Sequence, residues 1–207
     1  MSCQDCGAPQ ARISLGGVDL CDACFDGRVS DLTGRAPVGP APEPLVLVGP
    51  DGRAHELAFR VLRGPAGIEA RLEETGVGVG DGYEFAVLGD HDAEVAPLVA
   101  EVEAIARREV ACLYLEAAEH RPGWRLTEAD EARGRFVWNE RSERGVPYDV
   151  VIDGRKLSWE EFGEALGSYE GWNFRLVIED RIVESEAGAG AGAERADAEV
   201  IPIDRRR

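Results

Sequence analysis

The chain has 207 residues, 44% hydrophobic and 30% charged, and its 40 acidic residues against 23 Lys plus Arg give a formal charge of −17. That composition suits a globular protein with room for a real core. It contains no apolar run near the ~18–20 residues of a membrane span, and its charge opposes non-specific binding to nucleic acid or anionic membrane, both polyanions.

The first residues, Met1 to Cys6, have neither the basic nor the apolar region of a secretory signal, so the expected location is the cytoplasm. Cysteine usage agrees with a reducing compartment. Cys3-x-x-Cys6 and Cys21-x-x-Cys24 are separated by 14 residues. Two such pairs at that distance match a tetrahedral four-thiolate site, each pair placing two sulfurs about one ion while the loop returns the chain. Gly7 and Gly16-Gly17 suit the tight turns this requires. The module, residues 1–34, has so few apolar side chains that folding without the ion is not expected. The expected cofactor is one structural Zn²⁺, with iron the residual alternative, because a four-sulfur tetrahedron suits either metal. Four thiolates leave no open position for catalysis.

Residues 35–44 read RAPVGPAPEP, which forms neither a helix interior nor a central strand and predicts a semi-rigid linker. The block from 45 to 185 carries nearly all the periodic pattern and most of the acid. Ala54–Leu62 and Ile68–Glu73 flank the turn Gly64-Pro65-Ala66-Gly67 and predict a hairpin. After the glycine-rich VGVGDG turn, Tyr83–Leu88 predicts another strand. Asp90 or Asp92 is the expected cap of a following helix. Its apolar face is Val95, Leu98, Val99, Val102, Ile105 and Ala106. Cys112 lacks an activating neighbour and reads as a core residue. The polar stretch 116–134 is ambiguous. Arg135–Asn139 predicts a short strand with Phe136 and Trp138 on one face.

Tyr148–Ile152 is a β-rich run closed by an Asp153-Gly154 turn. Ser158 with Glu161 forms a capping box, and Trp159, Phe162 and Leu166 give the helix that follows its expected buried stripe. Phe174–Ile178 predicts a final strand. Residues 186–207, AGAGAGA-containing and ending in three arginines, predict a mobile tail. Mixed strands and helices without a fixed repeat give an α+β fold: a small four-cysteine zinc ribbon, a Pro-rich linker and a mixed α+β domain.

Three groups compete as functional sites. Asp90-His91-Asp92 is a histidine between carboxylates, able in principle to bind a divalent metal or supply a base for a hydrolase; the alternative is an acidic turn at a helix start. Tyr169, Glu170 and Trp172 surround a glycine at a helix-to-strand junction and cover a core edge or, if exposed, make an interaction site. Nucleic-acid recognition would need basic residues clustered at the cysteines. Arg12, Arg28 and Arg35 are instead surrounded by Asp5, Asp19, Asp22, Asp26 and Asp31.

From Pro147 to Asp180 the residues Asp153, Gly154, Trp159, Glu161, Phe162, Gly163, Leu166, Tyr169, Glu170, Gly171 and Trp172 fit a D-G-x-x-x-S-W-x-E-F-G…Y-E-G-W pattern. On these residues the chain resembles an uncharacterised bacterial domain family, and Tyr83–Glu94 resembles another part of such proteins, which can carry a zinc ribbon in front. The resemblance implies no activity and transfers no catalytic role. The expectation is a zinc-binding protein-interaction or regulatory module with a protein partner, ahead of a hydrolase around residues 90–92 or a nucleic-acid-binding ribbon. The acidic body suits a basic protein surface.

Overall fold

The computed structural model describes residues 1–185 except Gln10, Val79, 140–145 and Arg181. The tail expected to be mobile, 186–207, lies outside the described residues. An antiparallel hairpin of β1 (Ile13–Leu15) and β2 (Val18–Leu20) opens the fold. Gly16 and Gly17 form its turn with φ of 60° and 82°, a conformation that side chains with a Cβ resist. Helix α1 (Asp22–Thr33) follows and ends at Gly34, whose left-handed backbone lets its N–H reach the Ser30 carbonyl.

Residues 35–44 have no regular structure, but they are not detached from the body. Val38 packs on the neighbouring core, and its N–H donates to both carboxylate oxygens of the buried Asp26 on α1, at 3.0 and 3.2 Å.

The next unit is an antiparallel meander of β3 (Leu45–Val48), β4 (Ala54–Gly64), β5 (Gly67–Glu74) and β6 (Glu84–Gly89). The expected hairpin is β4–β5, with Gly64 opposite Gly67. Helix α2 (Val95–Val110) covers one face of the sheet. Leu98, Val102, Ala106 and Val110 recur every four residues, so all point one way. They are buried against Leu57, Val61, Ile68, Leu72 and Val87. Each such Leu or Val contributes roughly 1.5–3 kcal/mol by leaving water. The helix starts later than the acidic turn suggested: Glu94 occupies the cap position, without a side-chain cap bond. Asp90 instead closes a tight turn, its carbonyl accepting the Ala93 N–H.

The third unit contains β7 (Leu115–Ala117) paired with β8 (Trp124–Leu126), and a three-stranded sheet in the order β11 (Arg155–Leu157), β10 (Tyr148–Ile152), β9 (Gly134–Trp138). Helix α3 (Trp159–Ala165) and a single 3-10 turn (Gly167–Tyr169) complete it. A second core forms from Leu115, Leu126, Val150, Ile152 and Leu157, with Tyr114, Trp124, Phe162 and Tyr169 against it. The expected capping box is present: Glu161 donates its N–H to Ser158 Oγ at 3.2 Å, and its carboxylate accepts the Ser158 N–H at 2.7 Å. A strand β12 (Ile182–Glu184) then returns to lie parallel to β6.

Three expectations fail for identifiable reasons. Helix α3 is only seven residues long, and its fully buried residue is Ala165; Trp159 and Leu166 are exposed. Cys112 is exposed, because Val110 takes the last core position of α2 and the chain turns outward two residues later. Phe174–Ile178 pairs with no described strand, so its alternation has no ladder to join.

The Asp153-Gly154 turn ties the end of β10 to the start of β7 within the second core. Asp153 is buried, and its Oδ2 accepts the N–H groups of Tyr114 at 2.9 Å and Leu115 at 2.7 Å. Burial raises its pKa, opposed by those two donors. Replacing Asp153 with Ala strands both donors, so the melting midpoint should fall by the equivalent of about 1–3 kcal/mol. Thermal unfolding followed by circular dichroism measures this.

Candidate metal centre

Cys3 and Cys6 lie in the N-terminal loop before β1. Its fold is set by backbone bonds: the Gly7 N–H donates to the Cys3 carbonyl at 2.9 Å and the Cys3 N–H to the Ala8 carbonyl at 2.8 Å. The second pair takes a different form. Cys21 is the cap residue of α1 and Cys24 sits in its first turn. There both residues lie at the positive end of the helix dipole. The β1–β2 hairpin spans the distance between the pairs, and the buried Leu20 fixes the end of β2 just before Cys21.

The four sulfurs lie within 4.8 Å of one another, and none is in a disulfide. Cys6 Sγ is 3.7 Å from Cys21 Sγ. A tetrahedron with zinc–sulfur bonds of ~2.3 Å has sulfur–sulfur edges of roughly 3.8 Å, so the spacing fits such an ion. The local electrostatics fit as well. The Cys3 thiol, almost fully buried, is lowered to about 6, first by the Cys21 N–H, with the N–H groups of Cys6 and Asp5 adding and burial opposing. Cys24 is pushed strongly upward by the sulfurs of Cys6, Cys21 and Cys3 crowding it. Four thiolates this close repel one another unless a cation sits between them. The donor set is therefore that of a soft or borderline divalent metal with all four positions supplied by protein.

Arg28 on α1 completes the surroundings. Its guanidinium donates to both carboxylate oxygens of Asp5, at 2.5 and 2.8 Å, inside the first cysteine pair. That bond, with the nearby sulfurs of Cys24 and Cys3 adding, raises its pKa against desolvation. Asp22, inside the second pair, binds Arg60 of β4 through bonds of 2.8 and 2.9 Å. Arg12 lies 3.7 Å from Glu73 of β5, and Arg35 pairs with Asp92. The arginines near the cysteines are thus turned toward carboxylates of the protein itself, which leaves little basic surface for a phosphate backbone.

The Asp90-His91-Asp92 turn is exposed, and among the described residues it is not one of the groups positioned to hold a metal. Asp92 is held by Arg35, and the His91 carbonyl accepts from Arg63. His55 is buried elsewhere, its Nδ1 2.8 Å from Glu74 and its ring edge-on to Tyr83, while His120 is exposed beside Glu119. Among the described residues, the four cysteines are the one group of His, Cys, Asp or Glu side chains positioned to hold a metal. Tyr169 is half-buried with its hydroxyl donating to Asp130, and its ring meets Trp172 edge-on at 5.4 Å. Glu170 and Trp172 are exposed. The sequence reading missed the partners of the paired cysteines. The aspartate inside each pair was a visible signal, but its arginine could not be assigned without the fold.

Residues 39–111 match a family model described as a domain of unknown function (DUF7686). Residues 114–182 match a second, also described as a domain of unknown function (DUF7713). The boundary between the two matches falls between the two hydrophobic cores, and the matches agree with the resemblance to an uncharacterised domain family. No curated protein and no solved structure matches the chain.

The metal site can be tested by thiol counting. In the metal-loaded protein a small maleimide should modify Cys112 alone, and after chelation all five cysteines should react. Intact-mass spectrometry distinguishes one adduct from five. Rapid labelling of Cys3 or Cys24 in the untreated, metal-loaded protein would refute the closed site.

Proposed function

We propose that the protein is a zinc-binding interaction module: one structural Zn²⁺ held by Cys3, Cys6, Cys21 and Cys24 orders the N-terminal unit, and the acidic body receives a basic protein partner. The observation that supports the metal reading is the convergence of the four sulfurs, two of them at a helix N-terminus, in a closed set with no position left for substrate. Zinc is favoured over iron because the site needs a cation for charge and geometry alone, and zinc carries no redox chemistry of its own.

The partner reading rests on charge. Internal ion pairs absorb much of the cationic complement: Arg71 alone contacts Glu69, Glu73 and Glu84. What remains outward is acid, including Glu94, Glu128, Glu160 and Glu164, all exposed. Such a surface speeds encounter with a basic protein and rejects polyanions. A cytoplasmic setting accords with four thiols kept reduced for the metal.

Two measurements check the reading. Elemental analysis of protein expressed without added metal should give one zinc per chain, and Cys21→Ser should abolish it. In the same variant, amide exchange should speed up across residues 1–34 while β4, β5, β6 and α2 keep their protection. Captured proteins should elute with rising salt and carry basic surfaces; a nucleic-acid-bearing eluate, or iron in place of zinc, would overturn the corresponding half of the proposal.

A further inference from the structure

The face of the β9–β10–β11 sheet that carries Val150, Ile152 and Leu157 is covered by α3 only in part. The same face continues into Phe136, Trp138 and Tyr148, since Phe136 stands opposite Val150 and Trp138 opposite Tyr148. Phe136 and Trp138 are 50% and 60% exposed. Trp159 of α3 extends the patch, its ring 6.4 Å from that of Phe136, and Trp138 meets Tyr148 edge-on at 5.3 Å. Four neighbouring aromatic side chains thus lie open on one sheet face, a feature that marks an interaction surface.

The same chain holds a complementary element. After the 3-10 turn, residues 172–180 run without regular structure and are exposed throughout. Trp172, Phe174, Leu176 and Ile178 alternate with Asn173, Arg175, Val177 and Glu179, the period of a half-buried strand. Their exposures are 65%, 90%, 68% and 67%. The segment is held at both ends, by the Trp172 N–H on the Tyr169 carbonyl and by β12 alongside β6. It is therefore a tethered apolar strap, and its β-forming side has nothing to cover.

We propose that the occupant of the aromatic face is a second copy of this chain: residues 172–178 of each copy lie along β9 of the other, with Trp172, Phe174, Leu176 and Ile178 against Phe136, Trp138 and Tyr148. The exchange is reciprocal, so a two-fold pair satisfies both surfaces of both copies and leaves neither open. The area suffices. A buried aromatic ring removes about 150–250 Å² from water. The six rings of the patch and strap are only 41–90% exposed, so about 700 Å² of that area per copy remains to be covered, and the pair reaches the ~1,200–2,000 Å² of a stable interface. The interface is apolar where the rest of the surface is acidic, so like-charge repulsion between copies opposes it and salt relieves that opposition. Zinc plays no part in the contact, and the proposal stands or falls separately from the metal reading.

The test uses the full, metal-loaded chain in sedimentation equilibrium. The wild type should show twice the 22.4 kDa mass of one chain, with association tightening from low to high salt. Because the altered side chains are exposed, folding should survive two variants, Phe174→Ser with Leu176→Lys in the strap and Trp138→Lys on the sheet. Each should weaken self-association by about 30-fold or more, the effect of losing an interface hot spot. Mixing the two variants should partly restore the dimer, since the heterodimer retains one intact joint of the two. A monomeric wild type would overturn the proposal. So would a strap variant that dimerises normally, a mixture with no restored dimer, or protection of amides 174–178 in a monomer, which would place the strap on its own chain.

Discussion

Thirty-four residues cannot bury enough apolar surface to fix one conformation. The N-terminal unit buries Leu20 and Cys3 and few other apolar side chains. Its geometry therefore depends on bringing four sulfurs to one point, where, as thiolates, they would repel one another without a cation between them. Everything else in the unit serves that convergence. The Gly16-Gly17 turn reverses the chain between the pairs, and the first turn of α1 supplies a positive dipole end to the second pair. Arg28 places a fixed positive charge near the sulfurs while it anchors the loop between Cys3 and Cys6 through Asp5.

The acidic excess is easier to understand once the internal pairs are traced. Arg71 lies across β5 among three glutamates, and Arg135 donates to the carbonyls of Gly80 and Gly82, at 3.0 and 3.1 Å. Arg155 reaches Asp51 at 2.7 Å while its guanidinium lies 4.5 Å above the Trp124 ring. Arg135 and Arg155 join units whose cores are separate, while Arg71 stays within the meander sheet. Acidic side chains outnumber them, and the surplus remains on the surface. The net charge of −17 is thus a property of the surface more than of the joints between units.

What was legible from residues alone was whatever depends on short sequence separation. The cysteine spacing, the capping box of Ser158 and Glu161, the four-residue rhythm of α2 and the β4–β5 hairpin all involve neighbours along the chain. What was not legible depends on a partner far away. Strand β8 is three residues, Trp124–Leu126, in a polar stretch, and exists because Leu115 and Ala117 stand opposite it. Phe174–Ile178 has a stronger strand pattern than β8 and is not a strand, since alternation records a preference and pairing requires an edge to meet. For the cysteine cluster, the four cysteines were readable and the arginines that hold their loops were not.

The placement of the second cysteine pair on α1 has a structural consequence beyond metal binding. Asp22 lies between the two ligands Cys21 and Cys24, and it is also the residue that binds Arg60 of β4. Four residues further along the same helix, Asp26 receives the Val38 N–H and pins the proline-rich segment against the sheet. The start of α1 therefore fixes the position of both carboxylates, and through them the approach of the linker to the core. The linker's stiffness comes from its prolines, but its direction comes from α1. A segment that composition alone describes as a spacer becomes, by these two carboxylates, part of the contact between the metal unit and the meander sheet.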